Sequence, residues 1–237
     1  MSSVRVIGRG RAGRSLATAL GRAGWGLGGV LGRADEVDEA AAGVDLLVIA
    51  VPDDAVATVA STVAPVQTTV VAHMAGSLGL DVLAPHARRA ALHPLASLPS
   101  PELGAERLRG AWFAIAGDHL IESVVEALDG RSFTVTDRHR AAYHAAAVIA
   151  SNHLVALLAQ VERVAATADV PFDAYLDLVR ATIDNVAALG PTEALTGPAA
   201  RGDEATIARH LEALSEDERH LYEVLADACR KLAACKS

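Results

Sequence analysis

A chain of 237 residues, 51% of them hydrophobic, has ample material for a packed core, which excludes extensive disorder and allows one large domain or two modest ones. Its formal charge of −8 argues against a broad nucleic-acid footprint, which needs a basic stripe to displace counterions, and points to a small metabolite as the partner. The only lysines, Lys231 and Lys236, sit at the extreme C-terminus; a P-loop, a Schiff base or a lysine general acid in the body of the protein is therefore excluded.

Along the chain, short β-branched runs at 4–7, 29–31, 46–51, 68–72, 90–92, 112–116 and 132–135 alternate with alanine-rich helical stretches. This is the pattern of a parallel sheet covered by helices. Beyond Thr136 β-type runs give way to helical patterns at 139–168, 172–188, 203–214 and 216–234. Breaks are predicted at Asp169-Val170-Pro171, Gly190-Pro191 and Gly197-Pro198, and Ser215 with Glu218 predicts a capping box for the last helix. The expectation is an α/β domain over residues 1–135 followed by an all-helical domain over 136–237. Cys229 and Cys235, six apart in the final helix, lack metal-ligand spacing and read as reduced thiols. No run approaches the 18 or so apolar residues of a membrane span, and the N-terminus enters a strand directly, which predicts a cytoplasmic protein with neither metal nor membrane partner.

The first strand runs into Gly8-Arg9-Gly10-Arg11-Ala12-Gly13 and a helix. In this G-x-G-x-x-G loop Gly8 makes the tight turn, Gly10 lets a pyrophosphate approach the backbone, and Gly13 lets helix and strand pack closely. The helix N-terminus, from Arg11 and Ala12, then faces the phosphates. Strand, loop and helix at the start of the chain predict a Rossmann-type dinucleotide-binding domain. About 20 residues after Gly13, where NAD enzymes carry an acidic ribose ligand, stands Arg33, whose guanidinium suits a 2′-phosphate; Arg9 or Arg11 can add charge. NADP is therefore the expected cofactor, with NAD the alternative if Asp35 or Glu36 takes the ribose. The third strand ends in Val51-Pro52-Asp53, and the fourth is followed by His73 to Ser77; both should border the ligand crevice.

Hydride chemistry needs a group to handle a proton beside the nicotinamide. His144 is the nearest candidate donor. On an ideal helix Ser151 projects within about 20° of it and Asn152 about 80° away, so the three can border one cleft; Tyr143 is the alternative donor, whereas His153 is expected to be structural. His73, Ser77 and His93 are candidate substrate contacts, although His93 before a proline can also anchor a turn. His86, His119, His139, His210 and His220 are expected to face solvent. Gly117-Asp118 is expected to cap a helix, as is Asp203, and Arg201 offers a fork for a carboxylate.

Leu92-His93-Pro94-Leu95, Phe113 to Asp118, Tyr143 to Asn152, and Leu195 to Asp203 resemble a bacterial family that joins a Rossmann-like domain to a helical domain of unassigned function. The arrangement is similar, more broadly, to the superfamily of pyrroline-5-carboxylate reductase, ketopantoate reductase and 6-phosphogluconate dehydrogenase, including the helical C-terminal domain of the last. The resemblance implies a nicotinamide-dependent oxidoreductase, a homodimer, and a loop around Arg201 that binds substrate across the dimer interface. One departure matters: relatives of the hydroxyacid dehydrogenase and ketopantoate reductase kind carry a catalytic lysine four residues before an asparagine, and here Val148 precedes Asn152. The expected function is NADP-dependent reduction of a small carboxylated keto or imino compound. Its alternatives are an NAD-dependent 2-hydroxyacid or ketopantoate-type dehydrogenase and a non-catalytic NADP-binding regulatory protein.

Overall fold

The computed structural model describes residues 1–236. They form β1 (Ser3–Ile7), α1 (Arg11–Arg22), β2 (Gly26–Leu31), β3 (Leu46–Ile49), α2 (Val56–Thr62), β4 (Val70–His73), β5 (Arg89–Pro94), α3 (Pro101–Leu108), β6 (Trp112–Gly117), α4 (Leu120–Ala127), β7 (Arg131–Thr134) and α5 (Arg140–Val148). A π-helical turn, Ile149–His153, leads into α6 (Leu154–Ala166), followed by α7 (Phe172–Ala194), α8 (Pro198–Arg201), α9 (Glu204–Ala213) and α10 (Glu216–Ala233). The chain divides into two compact units, Met1–Ser151 and Asn152 onward. The first unit thus runs past residue 135, because α5 packs back on it: Tyr143 meets the Phe133 ring edge-on at 5.7 Å.

The sheet order is β2-β1-β3-β4-β5-β6-β7. Its strands pair in parallel except β5 with β6, which are antiparallel. Because the side chains of a strand alternate between faces, Leu46 and Val48 of β3 enter one apolar layer with Leu16, Leu20 and Phe113. Leu47 and Ile49 enter another with Val56, Val71 and Leu83. Both layers are buried, so these strands read as unbroken apolar runs, as buried parallel strands do. On the first face, α1 and α3 approach closely: Ser15 is fully buried, and a Cβ on Gly104 would collide with its hydroxyl. The chain goes from β1 outward to β2, then returns to the other side of β1 as β3. That reversal places a ligand crevice at the carboxyl ends of β1 and β3.

In the second unit Asp169 takes a positive φ of 54°, ending the stretch before Pro171 as the sequence predicts. Gly190, with φ 79°, interrupts α7 before Pro191. Asp203 caps α9 by accepting from the Thr206 amide at 3.1 Å. The capping box at Ser215 does not form. No side-chain hydrogen bond is made by Ser215 at the start of α10, and the Glu218 carboxylate is taken by Arg163 of α6, a charged partner that outcompetes a backbone amide. His86 also departs from expectation: it is 2% exposed and lies against the Ala60 carbonyl, with Nε2 3.0 Å away.

The helical stretch Asp137–Ala166 is long and apolar enough to cross a membrane by length and composition, and 6% of its apolar window is buried within the chain. The sequence reading underrated it because Tyr143, His144, Ser151, Asn152 and His153 interrupt the apolar letters without lowering the average enough.

Candidate active site

The glycine loop is stitched between two strand ends. Gly8 N–H donates to the Leu31 carbonyl at 2.8 Å, and Ala50 N–H donates to Ile7 at 2.7 Å. Gly8 has φ 129°, and a Cβ there would run into the Ala50 carbonyl; a Cβ on Gly13 would run into the Gly8 carbonyl. Gly10, the residue before α1, has open space within 4 Å of where its Cβ would stand. The first helical bond joins Arg14 N–H to the Gly10 carbonyl at 3.1 Å, which leaves the amides of Arg11, Ala12 and Gly13 outside the helical ladder, as at any helix start. An open glycine facing three amides and the positive end of a helix dipole fits a pyrophosphate.

At the end of β2, Arg33 is exposed. Asp35 is turned inward, its Oδ2 accepting from Gly32 N–H at 2.7 Å and pairing with Arg9 Nη2 at 2.9 Å. The ribose end of the crevice thus presents a guanidinium outward while its nearest carboxylate is engaged twice. Val51 is half-buried and Pro52 and Asp53 are exposed; Asp53 accepts from Ser77 Oγ at 2.8 Å, tying the turn after β3 to the turn after β4.

Beside these turns a titratable cluster forms within the first unit. His73, at the end of β4, is fully buried. Its Nδ1 accepts from Ala75 N–H at 3.2 Å and its Nε2 faces the Gly79 carbonyl at 3.2 Å, so both nitrogens are engaged in shaping the turn. Burial holds it below the usual histidine range. His93, near the end of β5, is hydrogen-bonded to Tyr143: Nδ1 and the hydroxyl are 2.6 Å apart. Burial, with His144 nearby, pushes His93 down to about 4, so near neutral pH it is an uncharged imidazole. Burial raises Tyr143.

His144 meets His93 edge-on, with ring centroids 5.6 Å apart, and its buried Nδ1 has no hydrogen-bond partner among the described residues. Gly76 makes the convergence possible, because a Cβ there would strike His144 Nδ1 and stand 2.9 Å from His93 Nε2. These histidines, with Tyr143, Asp53 and Ser77, are drawn together from four segments.

Asn152 and Arg201 belong to the second unit, where Arg201 is an exposed residue at the end of α8. Ser151 donates its hydroxyl to the Ala147 carbonyl at 2.7 Å. The π turn at Ile149–His153 advances less per residue than an α-helix. The ~100° step behind the expected angles of about 20° for Ser151 and about 80° for Asn152 does not hold across this turn.

The sequence reading missed Asp137 and Arg140. Arg140 is 1% exposed, and its Nε donates to Asp137 Oδ1 at 3.0 Å. The signal was present, since Arg140, Tyr143 and His144 are spaced i, i+3, i+4 and share one helix face.

The fold defines this chain as a Rossmann-like α/β protein with a helical C-terminal part. A family model described as a Rossmann-like domain matches residues 31–99, and one described as a domain of unknown function, DUF2520, matches residues 113–229. The chain carries a Rossmann-like domain followed by a DUF2520 domain. No curated protein sequence matches it. Among solved structures it is similar to a candidate NADP oxidoreductase of Bacteroides fragilis, at 22% identity and a TM-score of 0.79, covering 97% of this chain and 98% of that one. It is also similar to a reductive aminase of Aspergillus terreus in complex with NADPH4, cyclohexanone and allyl amine (17%, 0.70, 98% and 94%). A third is a Plasmodium falciparum pyrroline carboxylate reductase with NADP bound (10%, 0.64, 98% and 98%).

Proposed function

We propose that this protein is an NADP-dependent oxidoreductase that reduces a small carboxylated keto or imino compound. The observation that carries the reading is the pairing, in one unit, of an open glycine loop at the strand reversal with a cluster in which the buried His144 Nδ1 has no hydrogen-bond partner among the described residues. The residues fit the cofactor: Gly10 leaves the space a pyrophosphate needs, and Arg33 stands exposed where a 2′-phosphate would be met. The structural neighbours that hold NADPH or NADP support the same cofactor.

The cofactor supplies the hydride. The chain's residues do the rest: the loop amides fix the phosphates, and the apolar ends of β3 and β4 keep water away. His144 delivers a proton to the oxygen or nitrogen on which charge develops. His93, held neutral and hydrogen-bonded to Tyr143, keeps the tyrosine in place without adding a competing positive charge. Val148, where relatives would carry lysine, leaves that proton to the histidine. NADPH consumption with a set of keto acids, and of keto acids plus amines, tests the reading. Turnover with a carboxylated substrate supports it, and cofactor binding without turnover on any of them favours the regulatory alternative.

The reading extends to assembly as a cytoplasmic homodimer through the helical part. Among the described residues of the second unit three apolar side chains are buried, Ala165, Ile207 and Ala226. The 23 residues of α7 include none that is buried, and Leu178, Ile183 and Leu189 are 52% to 62% exposed. So much uncovered apolar surface calls for a partner, and a second copy covers it symmetrically. The same cover suits the Asp137–Ala166 helix, which under this reading packs on protein and not in lipid.

A further inference from the structure

Arg140 begins α5 one helical turn below Tyr143 and His144, and its side chain is 1% exposed. A guanidinium has two edges that can take an acid in parallel bonds. Here Asp137 uses a single nitrogen, Nε, through Oδ1 at 3.0 Å. Nη1 and Nη2, which form the other edge, are buried and have no hydrogen-bond partner among the described residues. A buried cation with its terminal edge unmet is costly in a folded chain unless something anionic comes to it.

Its surroundings place that edge beside the cluster. A Cβ on Gly79 would stand 2.8 Å from Asp137 Oδ2, and the Gly79 carbonyl is the group that His73 Nε2 faces. Arg140 thus lies beside the cluster of His73, His93, Tyr143 and His144. Its positive charge is felt at His73, His93 and Tyr143. Of the nearby carboxylates, Asp137 pairs with Nε alone and Asp53 accepts from Ser77, and neither hydrogen-bonds Nη1 or Nη2.

We propose that Arg140 is the carboxylate-binding residue of this site, its Nη1 and Nη2 gripping one carboxylate of the substrate in a two-pronged bond. The grip stands on the geometry alone, and the reduction of the gripped acid rests on the oxidoreductase reading. Arg140 and His144, at i and i+4, share one helix face, an arrangement that suits an acid whose reducible carbon is adjacent to its carboxylate or one atom further on. The substrate class is therefore a 2-oxo acid or a cyclic imino acid. Neutral ketones, which fill the same volume, lose the grip.

The test uses the full-length protein without cofactor. Acetate, pyruvate and benzoate are titrated while the histidine ring C–H signals are followed by NMR, each beside its neutral amide, and H144A identifies the His144 signal. The proposal predicts that the carboxylates shift the His144 signal and the amides do not at the same concentration. It also predicts that R140Q weakens the carboxylates at least tenfold and that R140K restores part of the loss. Equal binding of acids and amides to the wild-type protein would overturn it, as would no response to any acid, or an unchanged affinity in R140Q. The comparison of acid with amide stands even if R140Q fails to fold. NADPH titrated into the same wild-type sample separates the two claims. Acid discrimination without NADPH binding sinks the oxidoreductase reading and spares Arg140, whereas NADPH binding without acid discrimination does the reverse.

Discussion

At the end of β2, Arg33 points outward while Asp35 is held by Gly32 N–H and by Arg9. A charge-assisted bond to a 2′-phosphate is worth about 1.5–3 kcal/mol, so NADPH should bind at least tenfold more tightly than NADH. R33S should erase most of that ratio, as read by titration with both cofactors; an unchanged ratio would return the ribose to Asp35 or Glu36. H144A should lower turnover by about a hundredfold, the usual share of general acid catalysis, with NADPH affinity preserved. Retained turnover would move the role to Tyr143.

His93 and His73 both sit below their ordinary range in the folded chain, so the unfolded chain binds more protons than the folded one in mildly acid solution. Their contribution to stability is complete above about 6.5, the unfolded histidine value. It is lost as pH falls toward about 4, where His93 finally protonates. Urea midpoints measured between pH 7 and pH 4 should fall, and less steeply in H93Q; identical slopes would remove His93 as the source. The glycine loop and the histidines were legible at this scale because each residue type announces its chemistry. Arg140 was not, since an arginine at a helix start reads as solvated until burial is seen.

Among elements, the seven strands and the breaks at Asp169, Gly190 and Gly197 were readable because apolar period and proline placement act locally. What escaped depends on contacts far apart in sequence. The Glu218 carboxylate goes to Arg163, 55 residues away, and the π turn at Ile149–His153 leaves no mark in the letters.

The glycine loop and the Gly76 turn should also respond differently to substitution. In G13A the new methyl meets a backbone carbonyl, that of Gly8, which cannot swing aside. NADPH binding and thermal stability should fall together. In G76A it meets the imidazoles of His144 and His93, which can turn. Turnover should drop at least tenfold with a melting temperature lowered by no more than a few degrees, overpacking in general costing about 1–3 kcal/mol. A G76A protein with normal turnover would mean that the two histidines need not converge.

For the molecule as a whole, the small buried apolar content of the second unit argues that the helical part is completed by a second copy. Sedimentation at micromolar concentration should show a dimer, and charged replacements at Leu178 and Leu189 should dissociate it; a monomeric wild-type protein would remove both the dimer and any role for Arg201 across an interface. The sequence exposed the apolar surplus of these helices, but not which faces lie uncovered, because that depends on how the helices pack. The central claim is hydride transfer, and it is tested most directly with NADPH deuterated on the transferring face, incubated with the protein and a set of 2-oxo and cyclic imino acids. Mass spectrometry of the products should show one deuterium on the reduced carbon, with about a hundredfold less labelled product formed when His144 is replaced. Bound NADPH that transfers no deuterium to any of these acids would contradict the account.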